Sequence, residues 1–460
     1  MEAMHKLVDY MQAMKYEDLP PEVVELINLD FMDYIGCSFA GTGDPCFNSV
    51  VELYSEWGGK PECSVFTKNI KLPSITAAQL NATLGFAVDM DDIHYPAGHV
   101  AVTVFPAALA IAERDGNISG KDFITAIAGS MELFCRLGVY NQYRVPRHIF
   151  GGWEYHALHA AFSSAAATAM LLKLDRTEFL NAMGIAYMQC SGTGKAALEY
   201  ADTKTLGPGF GIRNGMTSVL MAQRGITGAH NILEGDYGLG NMFHGGLDAA
   251  GIVSGLGEKF EMLDIGFKRF ASCRLGQRTL DALYRIMKEH SIKADDVERV
   301  EILASERVLE QLYFPTEKTK NPARRNEAVF SLPWAAASLI VRGKVSPAEL
   351  NPEGLADPDI HAMAQKIHAE IDHTIDPGDH GAILPITIVT RFGKYTAYTM
   401  KQAPGDVGNR YPLEEHLAKF YDCMSQSIDQ IPMERQKKIV ELSANLENIE
   451  NMMEVVDLLV

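Results

Sequence analysis

ALHAAFSSAAATAMLLKL, residues 157–174, sets the fold. Its spacing predicts a helix, and Ala and Ser fill most of its sides, so neighbouring helices can approach closely, as they do around a helix buried in a helical core. On either side, apolar residues recur at helical spacing, predicting helices at about 22–39, 73–90, 100–114, 119–138, 176–189 and 211–224. The first of these follows Pro20 and Pro21, carries Val24, Leu26, Ile27, Phe31 and Ile35, and ends near Gly41 and Gly43. Between about 262 and 400 the pattern changes. VERVEILA (297–304) alternates Val and Ile with charge, and ILPITIVTRF and KYTAYTM (383–392 and 394–400) flank Gly393 as a hairpin, with helices expected at about 276–289 and 327–342. From Pro412 onward the chain reads as helix again. The expected fold is mainly α: a large all-helical domain of residues 1–262 and 402–460, and a smaller α+β domain of residues 263–401.

Composition narrows the function. The 460 residues are 47% hydrophobic and 22% charged, enough for a large core and more than one compact unit. No run of about 18 apolar residues appears, and Glu2, Lys6, Asp9 and Lys15 interrupt the start, so neither a membrane span nor a signal peptide is expected and the compartment is read as cytoplasmic. Seven scattered cysteines without metal-ligand spacing read as idle thiols. A net charge of −18 repels nucleic acid and anionic membrane. An anionic ligand would therefore need a local basic cluster working against the global field.

Four segments carry candidate chemistry. AVDMDDIHYPAGH (87–99) ends a helix with three carboxylates and two imidazoles. Asp89 and Asp92, three apart, are expected on one helix face, where like charges cost energy unless compensated; the cluster is either a solvated helix end or a site. GGWEYHALHAAFSSAA (151–166) offers His156 and His159, although a histidine in such a place is more often a satisfied core or cap residue than a site residue. ALEYADTKTLGPGFGIRNG (197–215) places Lys204 in an expected glycine-rich loop, where it is otherwise a plain surface lysine. DIGFKRFASCR (264–274) sets Lys268, Arg269 and Arg274 at the boundary between the two domains, a position suited to an anion held in a cleft.

The order of these segments resembles the MmgE/PrpD family over nearly the whole chain. The resemblance is carried by DMDDIHYPAGHVAVTVFPAALAIAE (89–113), GNISGKDFITAIAGSMELFCRLG (116–138), MAQRGITGAHNILEGDYGLG (221–240), NEAVFSLPWAAASLIVRGKV (326–345) and EEHLAKF (414–420). It implies that the smaller domain is a lid, that the protein is a homodimer, and that no cofactor, metal or iron–sulfur cluster is needed. It also implies catalytic roles for Asp89, His99, His156, Lys204 and Lys268. Asp92, His94, Arg269 and Arg274, read from their own positions, are the candidate substrate contacts beside them. Known activities of the family, which include 2-methylcitrate dehydratase, cis-aconitate decarboxylase and iminodisuccinate epimerase, share proton transfer at the carbon next to a carboxylate.

The implied activity is a lyase acting on a small di- or tricarboxylic acid, with dehydration or hydration placed first, epimerisation, isomerisation or decarboxylation as alternatives, and a non-catalytic carboxylate binder as the reading from another class. His99 paired with Asp89 would relay the proton, and Lys204 and Lys268 would stabilise the developing charge. A metal bound by Asp89, Asp92, His94 and His99 is the competing cofactor reading. Departures from the family pattern fall at expected substrate contacts: Ile93 stands where Thr is frequent, Val100 and Ala101 replace Pro-Ser, and Gly207 stands where His is common.

Overall fold

The computed structural model, which describes residues 2–141, 152–376 and 382–460, is 59% helical with only small sheets. Pro at the first turn starts α1 (Pro21–Ala40). The body continues through α2 (Ser74–Phe86), α3 (Ala101–Asp115), α4 (Gly120–Val139), α5 (Ala160–Leu171), α6 (Arg176–Gln189) and α7 (Thr203–Ala222). The Ala-rich α5 is buried along nearly its whole length. Glycines in α7 make this possible: a Cβ on Gly211 would stand 2.7 Å from the Ala157 carbonyl oxygen, and one on Gly209 would stand 2.6 Å from that of Gln79. So α7 lies against α5 on one side and α2 on the other.

The sheet-bearing part holds α8 (Gln277–His290) and α9 (Leu332–Arg342). The tail supplies α10 (Leu413–Ser425) and α11 (Met433–Ser443), and packs back on α1 through Phe420, Met424 and Ile439. Two short strands, β1 (Asp92–His94) and β2 (Ile265–Phe267), pair antiparallel with Asp92 opposite Phe267 and His94 opposite Ile265. The larger sheet contains β3 (Val297–Ala304), β4 (Ile367–Ile371), β5 (Pro385–Thr390) and β6 (Gly393–Tyr398) in the order β4-β3-β5-β6. β3 runs parallel to β4 and antiparallel to β5, and Gly393 opens the β5–β6 hairpin as expected. β3 turns Val297, Val300, Ile302 and Ala304 into the core. That core also takes in Cys37, Ala40, Val88 and Met90 from the body, so the two parts share an apolar contact beside the candidate motif.

Two local expectations fail. The helix before the acidic motif stops at Phe86, Asp89 adopts a left-handed φ of 49°, and Asp92 lies in a strand, so Asp89 and Asp92 share no helix face. Pairing with β2 competes with continuation of the helix, and Asp is one of the few side chains that tolerates the left-handed turn. Lys204 is not in a loop but in the first turn of α7, whose glycines serve close helix packing. All seven cysteines are free thiols, and among the described residues no helix is long and apolar enough to cross a membrane.

Candidate active site

The left-handed turn at Asp89 and the β1–β2 pair bring together residues far apart in the chain. β2 ends at Phe267, so Lys268 emerges beside the motif, and its ammonium contacts both the carboxylate and the backbone carbonyl of Asp89. Lys204, from α7, meets the other oxygen of the same carboxylate. Burial alone would raise the Asp89 carboxyl, but Lys204, Lys268 and then His99 hold it well below the usual carboxylate range. Asp89 is thus an anion shared by two buried cations.

His99 sits next to this array, its Nε2 3.9 Å from Asp89 Oδ1. Its firmer partner is Asp91: Nδ1 donates to Asp91 Oδ2 at 2.9 Å. Burial pushes the imidazole down to about 4, against the opposing pull of Asp91. The ring is therefore neutral near pH 7, with its proton on Nδ1 and the Nε2 lone pair presented toward Asp89. His156 stands at the start of the Ala-rich region, its Nε2 2.8 Å from Glu154 Oε2. Phe86, the last residue of α2, organises the group. Its ring lies 4.7 Å from His99, 4.9 Å from His156 and 3.8 Å from the Lys204 ammonium, centroid to centroid or to Nζ.

A cavity of about 790 Å³ opens over these groups, lined by Asp89, His99, His156 and Lys204 together with Arg274, Arg307 and Lys401 of the sheet-bearing part. Lys268 is not on its wall; it reaches Asp89 from behind, almost wholly buried. Four of the five proposed catalytic side chains therefore share one cavity, and the fifth touches one of them.

The proposed substrate contacts divide. Arg274 lines the cavity, with Nη2 2.5 Å from Asp406 Oδ2. Arg269 does not: it turns outward to Glu415 and Asp281. Asp92 is spent on the backbone, accepting the N–H groups of Val100 and Ala101 at 3.1 Å and so capping the start of α3. His94 touches the cavity with its ring, but Nε2 donates to the Glu261 carbonyl at 3.0 Å and Nδ1 accepts the Ala97 N–H at 3.4 Å, which removes both nitrogens from ligand binding. His159 faces away, its Nε2 2.8 Å from His244 Nε2 in a fully buried pair. Ile93 lines the main cavity, whereas Gly207 lines a smaller one beside it.

Sequence reasoning passed over Asp91, Phe86 and Glu154. A helix continued through the motif would carry Asp91 off the face of Asp89; the break after Phe86 is what lets it turn toward His99. Among the described residues, Asp89, Asp91 and His99 are the set that could converge on a metal ion. The fit is poor on charge: the two Asp89 oxygens are each already met by a lysine ammonium, and an ion would have to displace both.

Fold and site together define a mainly helical protein with a lysine- and histidine-lined cavity where the body meets a small mixed sheet. The chain belongs to the MmgE/PrpD family: the MmgE/PrpD N-terminal domain matches residues 5–250 and the C-terminal domain residues 270–445. It is 29% identical over 293 residues to a cis-aconitate decarboxylase of Aspergillus terreus, covering 60% of this chain and 58% of that protein. It is 22% identical over 452 residues to the cis-aconitate decarboxylase of Mus musculus, covering 95% and 90%. The human cis-aconitate decarboxylase is 22% identical over 378 residues, covering 78% and 75%.

Proposed function

We propose that this protein is a lyase that removes carbon dioxide from a small unsaturated di- or tricarboxylic acid, with a proton placed on the carbon next to a remaining carboxylate. The observation that carries this reading is the Asp89 carboxylate gripped by Lys204 and Lys268 beside neutral His99, on a cavity large enough for such an acid. Relatives named for decarboxylation favour loss of carbon dioxide over the dehydration that the motif alone places first.

In the proposed step the bond to the leaving carboxylate breaks and its electron pair forms a new carbon–carbon double bond. The pair of the existing double bond moves to the carbon next to a second carboxylate and spreads onto its oxygens. A proton then closes that carbon, so one carbon dioxide leaves and one proton is consumed. Charge on the second carboxylate is stabilised by Lys204, at the wall, and by the positive field of Lys268 behind Asp89. A low local dielectric makes these ammonium groups count for more than they would in water. His156 is placed to supply the proton, and Arg274, Arg307 and Lys401 offer positive charge for the remaining carboxylates.

One observation favours a second reading. Neutral His99, with its Nε2 lone pair toward the site, suits removal of a proton from an α-carbon, the opening step of dehydration or epimerisation. The two readings part in one experiment: purified protein in heavy water with cis-aconitate and a panel of di- and tricarboxylates, followed by NMR. Carbon dioxide loss with one deuterium on the adjacent carbon supports decarboxylation, and exchange or water elimination without carbon dioxide supports the second reading. No change in any acid, despite binding, would leave a carboxylate-binding protein.

A further inference from the structure

Replacing a carbon–carboxylate bond by a carbon–hydrogen bond consumes one proton per turnover, so a buried acid doing this work must be recharged from solvent each time. Glu154 is built into the partition between the catalytic cavity and such a source. It lines the main cavity and also a second cavity of about 200 Å³ shared with Ser191, Thr193, Thr203 and Gly207. Ser191, Thr193 and Thr203 are exposed, so this side cavity reaches the surface, whereas Glu154 itself is 8% exposed.

The carboxylate is held in register. The Glu154 N–H donates to the Gly192 carbonyl at 3.2 Å, Trp153 bridges Thr193, and the Gly194 N–H donates to the Gly152 carbonyl at 2.7 Å. The strip before His156 is thereby tied to the turn that walls the side cavity. Gly207 leaves room beneath the acid: a Cβ there would stand 3.9 Å from Glu154 Oε2. On the inner side, Oε2 lies 2.8 Å from His156 Nε2, near enough for a proton to pass although the two are not aligned as a hydrogen bond, and a Cβ on Gly98, a residue of the main cavity wall, would stand 3.6 Å from His156 Nδ1.

We propose that Glu154 is a proton-relay residue, carrying protons from water in the side cavity to His156. In the step, protonated Glu154 gives its proton to His156 Nε2 as His156 Nδ1 gives up its own to the substrate carbon. The imidazole ends as the Nε2–H tautomer and the Glu154 carboxylate is reprotonated from the side cavity; after product leaves, the ring resets by exchange with water in the main cavity, losing one proton at Nε2 and taking one at Nδ1, so the only net proton consumed is the one that enters through Glu154. The inference rests on the decarboxylase reading, because dehydration returns its proton internally and needs no supply.

The test compares carbon dioxide release from cis-aconitate by wild type, Glu154→Ala and Ala196→Leu, the last of which fills the side cavity without altering the acid. Glu154→Ala is expected to lower kcat at least about 30-fold with KM within about threefold, a loss on the scale of an acid–base partner. Added imidazole and its methyl derivatives should restore kcat in proportion to their acidity, which a merely structural defect would not allow. Ala196→Leu is expected to lower kcat and raise the solvent deuterium isotope effect. Retained kcat in Glu154→Ala, or a loss that no imidazole relieves together with an unaltered Ala196→Leu enzyme, overturns the relay while leaving decarboxylation standing. If wild type itself releases no carbon dioxide, the functional reading falls and the relay with it.

Discussion

Nδ1 of His99 lies 2.9 Å from Oδ2 of Asp91, whereas its Nε2 is 3.9 Å from Asp89, so Asp91 is the acid that orients the imidazole. Asp89 is already committed to two lysines. Replacing Asp91 by Asn keeps the shape but allows the amide to donate to Nδ1, which moves the ring proton to Nε2 and removes the lone pair from the site. In the proton-abstracting reading, Asp91→Asn is expected to lower kcat at least about 100-fold. The double variant with His99→Gln should be barely worse than either single change, since the two act as a unit. Steady-state rates on the same substrate check this; additive losses would sink it.

In the proton-abstracting reading, the depressed basicity of His99 sets the acid limb of activity. Burial holds the ring neutral to about pH 4, with Asp91 pulling the other way. Any rate that needs neutral His99 is therefore retained from pH 7 down to about 5 and lost as the pH falls through about 4. An unperturbed histidine would switch near ~6.5. A kcat/KM profile with a limb near ~6.5 that vanishes in His99→Gln would contradict the burial.

Much of this was legible in residues 157–174 and 297–304, because burial on all sides and strict alternation leave direct marks on composition. α5 and β3 lie where those marks predict. β4 went unseen: IHAEI is five residues long, follows a helix directly and gains its structure by pairing with β3, a contact far away in sequence. The same limit explains the site. Asp89, His99, His156 and Lys204 are identifiable as residue types in order, but no role is legible for Asp91, and Arg269 reads as a substrate contact although it does not line the cavity. Asp91 turns toward His99 only because α2 breaks at Phe86, and Arg269 turns away because Glu415 and Asp281 offer closer anions.

Removing Asp89 should cost more stability than removing either of its lysines. Asp89→Asn leaves two buried ammonium groups facing a neutral amide, and breaking a buried pair on one side typically costs about 3–5 kcal/mol. Lys268→Ala leaves Asp89 with Lys204 still in place, so the fold should be less affected, while turnover falls at least about 100-fold. Urea unfolding and steady-state rates measure the two effects separately. Near-normal turnover in Lys268→Ala would remove that lysine from the mechanism.

Arg269 and Arg274, five residues apart in the chain, should behave oppositely. Arg269 pairs with Glu415 at a partly exposed position off the cavity, so Arg269→Ala is expected to leave KM and kcat within about twofold and to cost no more than about 1 kcal/mol. Arg274 lines the cavity and its Nε is buried without a hydrogen-bond partner. Arg274→Ala is expected to raise KM at least about tenfold, the scale of a lost charge-assisted hydrogen bond. Equal effects from the two changes would remove the distinction.

The His159–His244 pair makes a prediction about stability that is independent of the reaction. Both rings are fully buried and joined at 2.8 Å, and burial pushes His244 down to about 4. In the unfolded chain the same ring titrates near ~6.5, so between those values the unfolded state binds more protons than the folded one. The contribution of neutral His244 is therefore fully present above about pH 6.5 and is lost progressively as the pH falls through about 4, at up to ~1.4 kcal/mol per pH unit. His244→Gln can keep a hydrogen bond to His159 but cannot titrate. Whatever the substitution costs at pH 7.5, that cost should shrink as the pH is lowered to 4.5, because only the wild type carries this slope. Urea unfolding of both proteins across that range measures it, and a cost that stays constant with pH would show that His244 is not held neutral by burial.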